Sequence, residues 1–257
     1  AQADDAWPSD GVRLSYPDWV VERLEADLGH DAAVGVLTSM NGAASTTERD
    51  DGYTQDPASR WVVDAVGAQA GERVLDLCAA PGGKATALAG AGAVVVAADV
   101  RPSRAGLIAG NARRVGLDAT QLQTVVADGR RPPFAPASFA RVLVDAPCSG
   151  LGSLRRRPDA RWRIDAAAPE RLARLQIELL EAAAPLVLPG GSLTYSVCTL
   201  TRAETIAVAE AFVAEHPDWR PVPPPSDPWI PWGSGALLLP QAAETDGMAA
   251  FTWARPA

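Results

Sequence analysis

The chain has 257 residues, 47% of them hydrophobic, enough for one large domain or one domain with an appendage. Its 23 Lys and Arg against 31 Asp and Glu leave a formal charge of −8, which disfavours a general nucleic-acid binder while leaving room for a local basic patch. No apolar run of roughly 18 residues and no basic-then-apolar leader is present, and Cys78, Cys148 and Cys198 lack paired spacing, so a cytoplasmic protein with reduced thiols and no membrane span is expected. The chain opens on Ala1 rather than methionine and reads as a fragment of something longer.

Residues 1–14 read as a frayed lead-in. Ser15-Tyr16-Pro17-Asp18 opens a helix with Val20, Leu24 and Leu28 as its apolar stripe and Gly29 as its stop. A short helix over about 31–40 follows, then a polar loop over 41–54. Asp56-Pro57 starts a helix that runs to about Val66. Alternation then begins: strand 73–77, helix 84–90, strand 94–98, helix 102–115, strands 122–126 and 141–144, helix 169–187, strand 191–197, helix 203–215. This order predicts an α/β fold, a parallel sheet with helices on both faces and ligands at the carboxyl ends of its strands. Cys78, Asp99, Asp128, Asp145 and Cys198 then share one edge. Residues 217–235 are proline-rich and read as a long loop or lid, and 249–254 as a last, antiparallel edge strand.

Three places carry chemistry. The first is the stretch Arg73–Thr86: a short apolar strand, a turn of small residues, then a helix start with free N–H groups. Ala79, Ala80, Gly82 and Gly83 remove bulk where a ligand touches backbone. An ordinary strand-to-helix turn uses glycine too. Asp99 raises the odds, because it ends the next strand 23 residues beyond Asp76, where a carboxylate suits a ribose. The turn does not match G-x-G-x-x-G, so an adenosyl ligand without a pyrophosphate fits better than a dinucleotide.

The second place is the pair of strand ends Asp145-Ala146-Pro147-Cys148 and Tyr195-Ser196-Val197-Cys198. Free cysteine is often a small buried apolar residue, and Cys78, inside the turn, keeps that reading. Two thiols together beside a cofactor turn favour reactivity for Cys148 and Cys198. Asp145 reads either as a hydrogen-bonding partner for a bound base or as a cap or cofactor contact. His30 and His216 lie away from these loops, so proton transfers fall to Asp, Cys or water. No H-x-E and no second cysteine three residues after Cys148 exist, which excludes a zinc deaminase, and no metal is expected. The third place is Arg155-Arg156-Arg157-Pro158-Asp159-Ala160-Arg161-Trp162-Arg163, the one dense basic run. Charge runs are normally solvated faces. Position beside the Cys148 loop in an acidic chain favours phosphate contact and base stacking.

DLCAAPGGK (Asp76–Lys84), DAPCSGLG (Asp145–Gly152) and YSVCTL (Tyr195–Leu200) resemble the RNA cytosine-C5 methyltransferases of the RsmB/NOP2/Sun type, with the bacterial Sun/Fmu-like branch that modifies 16S ribosomal RNA as the best match. Tyr53–Ser59, the RRRPDARW segment, and Ser15–Trp19 with Met40-Asn41 are similar to further family motifs, so the likeness covers about 15–255. It implies a class I S-adenosylmethionine-dependent methyltransferase: a Rossmann-like, seven-stranded, mostly parallel sheet with a short N-terminal helical extension. Residues 1–55 then form a reduced RNA-binding subdomain and 56–257 the catalytic domain.

The resemblance implies cofactor contacts from Cys78, Ala79, Ala80, Pro81, Gly82, Gly83, Lys84, Asp99, Arg104, Asp128 and Asp145. It implies Cys198 as nucleophile, Cys148 as the helper that releases product, and Asp145 near both cofactor and base. RNA contacts fall to Arg155, Arg156, Arg157, Arg161 and Trp162. The partner expected is ribosomal RNA, with no membrane and no metal, and the favoured state is a monomer. The chain departs from the family in three ways. Only thirteen residues separate Asn41 from Gln55, Thr201-Arg202-Ala203-Glu204-Thr205 stands where the family has Glu-Asn, and Asp246-Gly247-Met248 replaces an aromatic-rich version. The resemblance also implies that full-length relatives of the bacterial branch often carry an upstream NusB-like RNA-binding domain. Competing expectations are an inactive RNA-binding ribosome-assembly factor, and a methyltransferase acting on tRNA or on DNA, where the Pro-Cys thiol serves as nucleophile.

Overall fold

A computed structural model describes residues 7–45, 47–223 and 225–257. Three short N-terminal helices, α1 (Asp10–Leu14), α2 (Asp18–Leu28) and α3 (His30–Ser39), precede a hairpin of β1 (Thr47–Glu48) and β2 (Thr54–Gln55). The helix α1 replaces part of the expected lead-in, whose residues 1–6 lie outside the described residues. One turn and a half of helix has no legible periodicity. It is held by its cap, since Ser9 Oγ accepts from Val12 N at 3.2 Å and donates to Asp18 at 2.7 Å. The hairpin replaces part of the expected loop, apart from the undescribed Thr46. Its closure depends on Gly52 at φ 78°, whose N–H donates to Arg49 O at 2.8 Å.

The helix α4 (Pro57–Val66) follows, its Asp56 cap accepting from Ala58 N at 2.8 Å and Gly67 ending it at φ 64°. Then come β3 (Arg73–Asp76), α5 (Gly83–Gly90), β4 (Val94–Asp99), α6 (Pro102–Arg114), β5 (Leu122–Val126), β6 (Phe139–Asp145), α7 (Ala168–Ala183), β7 (Val187–Val197) and α8 (Ile206–Glu215). The order β5-β4-β3-β6-β7 is parallel, and β11 (Met248–Ala254) and β10 (Gly235–Leu238) extend it antiparallel. These seven strands are the expected sheet. Two short strands, β8 (Arg220–Pro221) on β11 and β9 (Ile230–Trp232) on β10, bring it to nine.

Those additions correct the reading of 217–235 as a loop or lid. Outside the undescribed Pro224, the segment is stitched to the antiparallel edge, Trp229 is buried, and Trp232 Nε1 donates to Thr205 Oγ1 at 3.0 Å. Prolines lack the donor a central strand needs but suit an edge.

Alternation along the strands builds two cores. Val74, Val95, Ala97 and Leu143 face α4, α5 and α6, while Leu75, Val96, Ala98, Val142 and Val144 face α7, α8, α2 and α3. Burial on both sides is why these strands read as continuous apolar runs. The N-terminal helices therefore share the second core and do not stand apart.

The basic run is only partly surface. Arg155 is 8% exposed, and its guanidinium donates to Asp246 Oδ1 at 3.0 Å, to Asp56 Oδ2 at 3.3 Å and to Glu244 O at 2.6 Å. Arg156 pairs with the same two aspartates. Arg161 lies 3.8 Å over the Tyr16 ring and donates to Ser15 O and Asn41 Oδ1, both at 2.9 Å. These three arginines, expected at RNA, bind the N-terminal and C-terminal segments to the catalytic body. Arg157, Trp162 at 63% exposure, and Arg163 remain outward. Removing Arg155 leaves Asp56 and Asp246 with the partly exposed Arg156 as their one remaining cationic partner among the described residues, and takes from Glu244 O its 2.6 Å donor. Arg155→Ala therefore lowers stability by about 3–5 kcal/mol in urea unfolding. A change within surface-charge range, below about 1 kcal/mol, refutes the buried cluster.

Candidate active site

The glycine turn sits at the carboxyl end of β3, held to both neighbouring strands. Leu77 N donates to Leu143 O and Ala79 N to Ala98 O, each at 2.9 Å. Gly82 takes φ 106°, and a Cβ there meets Ile108 Cα at 3.1 Å, so both conformation and space require glycine. A Cβ on Gly83 meets Tyr53 Cε1 and Gln55 Nε2 at 3.2 Å, which is how closely the β1–β2 hairpin lies on the turn. Arg49 fixes that contact: its guanidinium donates to Gln55 Oε1 at 3.0 Å, Gly83 O at 2.8 Å and Thr86 Oγ1 at 3.2 Å.

Asp99 ends β4 as expected and is 6% exposed. Its Oδ1 accepts from Arg101 N at 3.0 Å and its Oδ2 faces Arg104 Nε at 3.4 Å. Arg104 also donates to Ala80 O at 2.8 Å, so it ties this acid to the glycine turn. Asp128 follows β5 and is forked by Arg130, which holds its carboxyl below the usual range. Cys78 packs against the core, and burial pushes its thiol pKa well up.

The two cysteine loops converge. Cys148 Sγ and Cys198 Sγ are 3.4 Å apart, both half-buried. Lys84, the only lysine in the chain, donates from Nζ to Asp145 Oδ2 at 2.7 Å, and Ser196 Oγ donates to Asp145 Oδ1 at 2.6 Å. Lys84 thus reaches from the glycine turn to the end of β6. Burial opposes its ammonium, but Asp145 outweighs burial and holds its pKa above the ordinary value.

The thiols are electrostatically unlike. The hydrogen bond from Cys148 comes first in lowering the Cys198 pKa, with Ser153 and the Lys84 charge acting the same way against burial. The same hydrogen bond, burial and the Glu204 and Asp145 charges push Cys148 up. The surrounding charges therefore favour a thiolate at Cys198 over one at Cys148.

Residues 64–252 match the family model of the 16S rRNA methyltransferases RsmB/F. The chain belongs to that family. It is 42% identical over 269 residues to the ribosomal RNA small subunit methyltransferase B of Thermus thermophilus, covering 95% of this chain and 65% of that protein. It is 36% identical over 238 residues to the probable ribosomal RNA small subunit methyltransferase B of Bacillus subtilis, covering 88% and 53%. The chain thus spans between about half and two thirds of these relatives' length. The crystal structure of PH0851 matches with a TM-score of 0.87 at 24% identity, covering 97% of this chain and 70% of that one. The fold is the expected class I, Rossmann-like methyltransferase fold. Among the described residues, no helix is long and apolar enough to cross a membrane.

Within this RsmB/F chain, Cys148, Cys198, Asp145 and Lys84 come together, and Asp99 and Arg104 join the glycine turn. His30 and His216 pair instead with Glu25 and Glu181. Sequence reasoning passed over three residues. Arg49 lies in a polar loop with no periodicity. Gln176 is one polar side chain in an amphipathic helix. Glu204 sits at the start of the expected helix 203–215, in the segment compared with the family's Glu-Asn, and that comparison assigns it no role.

Asp76 lies beneath this group, fully buried, with neither oxygen hydrogen-bonded among the described residues. Burial, then the Asp145 charge, pushes its pKa from 3.8 up to about 8. A folded-state pKa raised in this way gives stability that is full below the unfolded value and is lost as pH climbs toward the folded one. Asp76→Asn therefore flattens the fall in urea midpoint between about pH 4 and about pH 8. An equally steep fall in the variant refutes the assignment.

Proposed function

We propose that this chain is the methyl-transferring part of an S-adenosylmethionine-dependent enzyme that methylates carbon 5 of a cytosine in RNA, with 16S rRNA as substrate. The observation that carries the reading is the 3.4 Å approach of the Cys148 and Cys198 sulfurs beside the glycine turn. The family match and the names of the two relatives support the substrate.

The turn suits an adenosyl cofactor. Ala79 and Ala80 present only methyl groups, Gly82 admits no Cβ, and the start of α5 offers free N–H groups. Asp99 retains lone pairs for two ribose hydroxyls beyond its contacts with Arg101 and Arg104. The bound cofactor supplies an electrophilic methyl group. All other requirements fall on the protein.

Carbon 5 of cytosine is a weak nucleophile. Addition of the Cys198 thiolate to carbon 6 makes a carbon–sulfur bond and drives the ring electrons toward carbon 5, which takes the methyl group. The Lys84–Asp145 pair stabilises the charge that develops on the ring. Loss of the carbon-5 proton to water restores the double bond as the carbon–sulfur bond breaks. The Cys148 thiol, within hydrogen-bond reach of the departing Cys198 sulfur, donates to it and stabilises it as a thiolate. The base reaches the pocket unpaired or flipped out.

Residues 1–55 act as a reduced RNA-side extension of the catalytic domain 56–257. The outward basic groups supply the RNA contact. The Arg157 guanidinium lies 3.7 Å from where a Cβ on Gly150 would stand, over the Cys148 loop, and exposed Trp162 offers a stacking face.

Cys198→Ala abolishes methyl transfer to ribosomal RNA fragments, whereas Cys148→Ala accumulates a covalent protein–RNA adduct. Bisulfite mapping reads the first and a slow band on a denaturing gel the second. An adduct in Cys198→Ala instead reverses the two roles.

A further inference from the structure

One fully buried carboxylate touches both cysteine loops. Glu204 lies in the turn of 3-10 helix Arg202–Glu204 ahead of α8, with no exposed surface. Its Oε1 accepts from Ser149 N at 2.8 Å and from Gln176 Nε2 at 3.1 Å. Its Oε2 accepts from Ser149 Oγ at 2.5 Å and from Thr199 Oγ1 and Thr201 Oγ1, both at 3.2 Å. Ser149 follows Cys148, and Thr199 follows Cys198. Their hydroxyls also meet each other at 2.9 Å.

We propose that Glu204 is a positioning residue that sets the spacing of the two thiols by gripping the residue after each cysteine. The inference rests on the two-thiol reading above. Five donors converge on one carboxylate, and an ionised carboxylate is the side chain that accepts from all of them. Burial holds its pKa above the ordinary carboxylate value, and the bonds from Ser149, Gln176 and Thr199 oppose that shift without cancelling it.

A second ring of contacts holds the clamp. Gln176 also donates to Pro147 O at 2.9 Å, next to Cys148. Tyr195 Oη has Glu204 O at 2.6 Å and Gln176 Oε1 at 2.9 Å as acceptors that share its one proton. Through Glu204, Gln176 and Tyr195 these anchors of the Cys148 loop return to the strand and turn that carry Cys198. The clamp is also charged on one side. The negative charges of Glu204 and Asp145 act against a thiolate at Cys148, whereas the Lys84 charge favours one at Cys198. Glu204 therefore disfavours a thiolate at Cys148 and leaves the thiolate to Cys198.

Phenylarsine oxide tests the spacing without RNA or cofactor. It condenses with two neighbouring thiols, forming two arsenic–sulfur bonds and releasing one water with no change of oxidation state. The reduced full chain is expected to be bridged between Cys148 and Cys198, read by peptide mass. Glu204→Ala loses this bridge, and methyl transfer falls roughly 100-fold through kcat, as displaced reacting groups require. Glu204→Gln keeps the bridge, because its carbonyl serves the two N–H groups and the hydroxyls reorient toward its amide. Its Cys148 nevertheless alkylates with iodoacetamide at lower pH than in the parent.

A Glu204→Ala chain that folds and is bridged like the parent overturns the proposal, as does an unshifted alkylation profile in Glu204→Gln. Should Glu204→Ala fail to fold by circular dichroism, Ser149→Ala with Thr199→Ala decides. That pair is expected to lose the bridge, and retention overturns the clamp. A parent chain that is bridged but methylates no cytosine refutes the two-thiol mechanism and leaves the spacing role standing.

Discussion

The parallel pairing of β6 with β7 is the constraint from which the site follows. Asp145 and Ser196 stand opposite each other in register, and the pairing continues past the strands through Ala146 N to Ser196 O and Gly152 N to Cys198 O, each at 2.9 Å. Two chains leaving a sheet side by side in the same direction deliver their next residues to one place. Cys148 and Cys198 are those residues. The loop must also pass under the C-terminal strand. A Cβ on Gly152 would stand 2.4 Å from Gly247 O, so that crossing admits only glycine.

Proximity alone makes the thiols equivalent, and the charges around them break the equivalence. Lys84 reaches Asp145 from the glycine turn and extends its positive field to Cys198. Glu204 stands on the other side, bonded to the residue after Cys148. The single lysine among 23 basic residues is thus spent at the one place where a compact ammonium is needed between a carboxylate and a thiol. Burial favours the neutral form of Asp76 beneath them, which works against a further negative charge under the cofactor turn.

The arginine run illustrates a limit of charge as a signal. Position beside the Cys148 loop pointed all five expected residues at RNA. Arg155 and Arg161 are buried, and with the exposed Arg156 they join Asp56, Asp246, Tyr16 and Asn41, residues drawn from three distant parts of the chain. Burying a guanidinium requires partners, and partners that far apart in sequence leave no local trace. A surface arginine and a buried one look alike until the chain is folded.

Local chemistry determined much by sequence alone. Apolar runs broken by small-residue turns specified the alternating strands and helices, because strands buried on both faces have little freedom in composition. The glycine turn, Asp99, Asp145 and the two cysteines were legible for a related reason: each sits at a strand end, where parallel topology aligns functional groups on one edge. Tertiary structure decided what depends on contact between distant segments. It brought the two sulfurs together, turned Lys84 toward Asp145, made Glu204 a shared anchor, and drew the proline-rich segment onto the sheet edge. Hydrogen bonds and ion pairs of this kind are specified by direction and distance in the folded chain, and residue order along the chain carries neither.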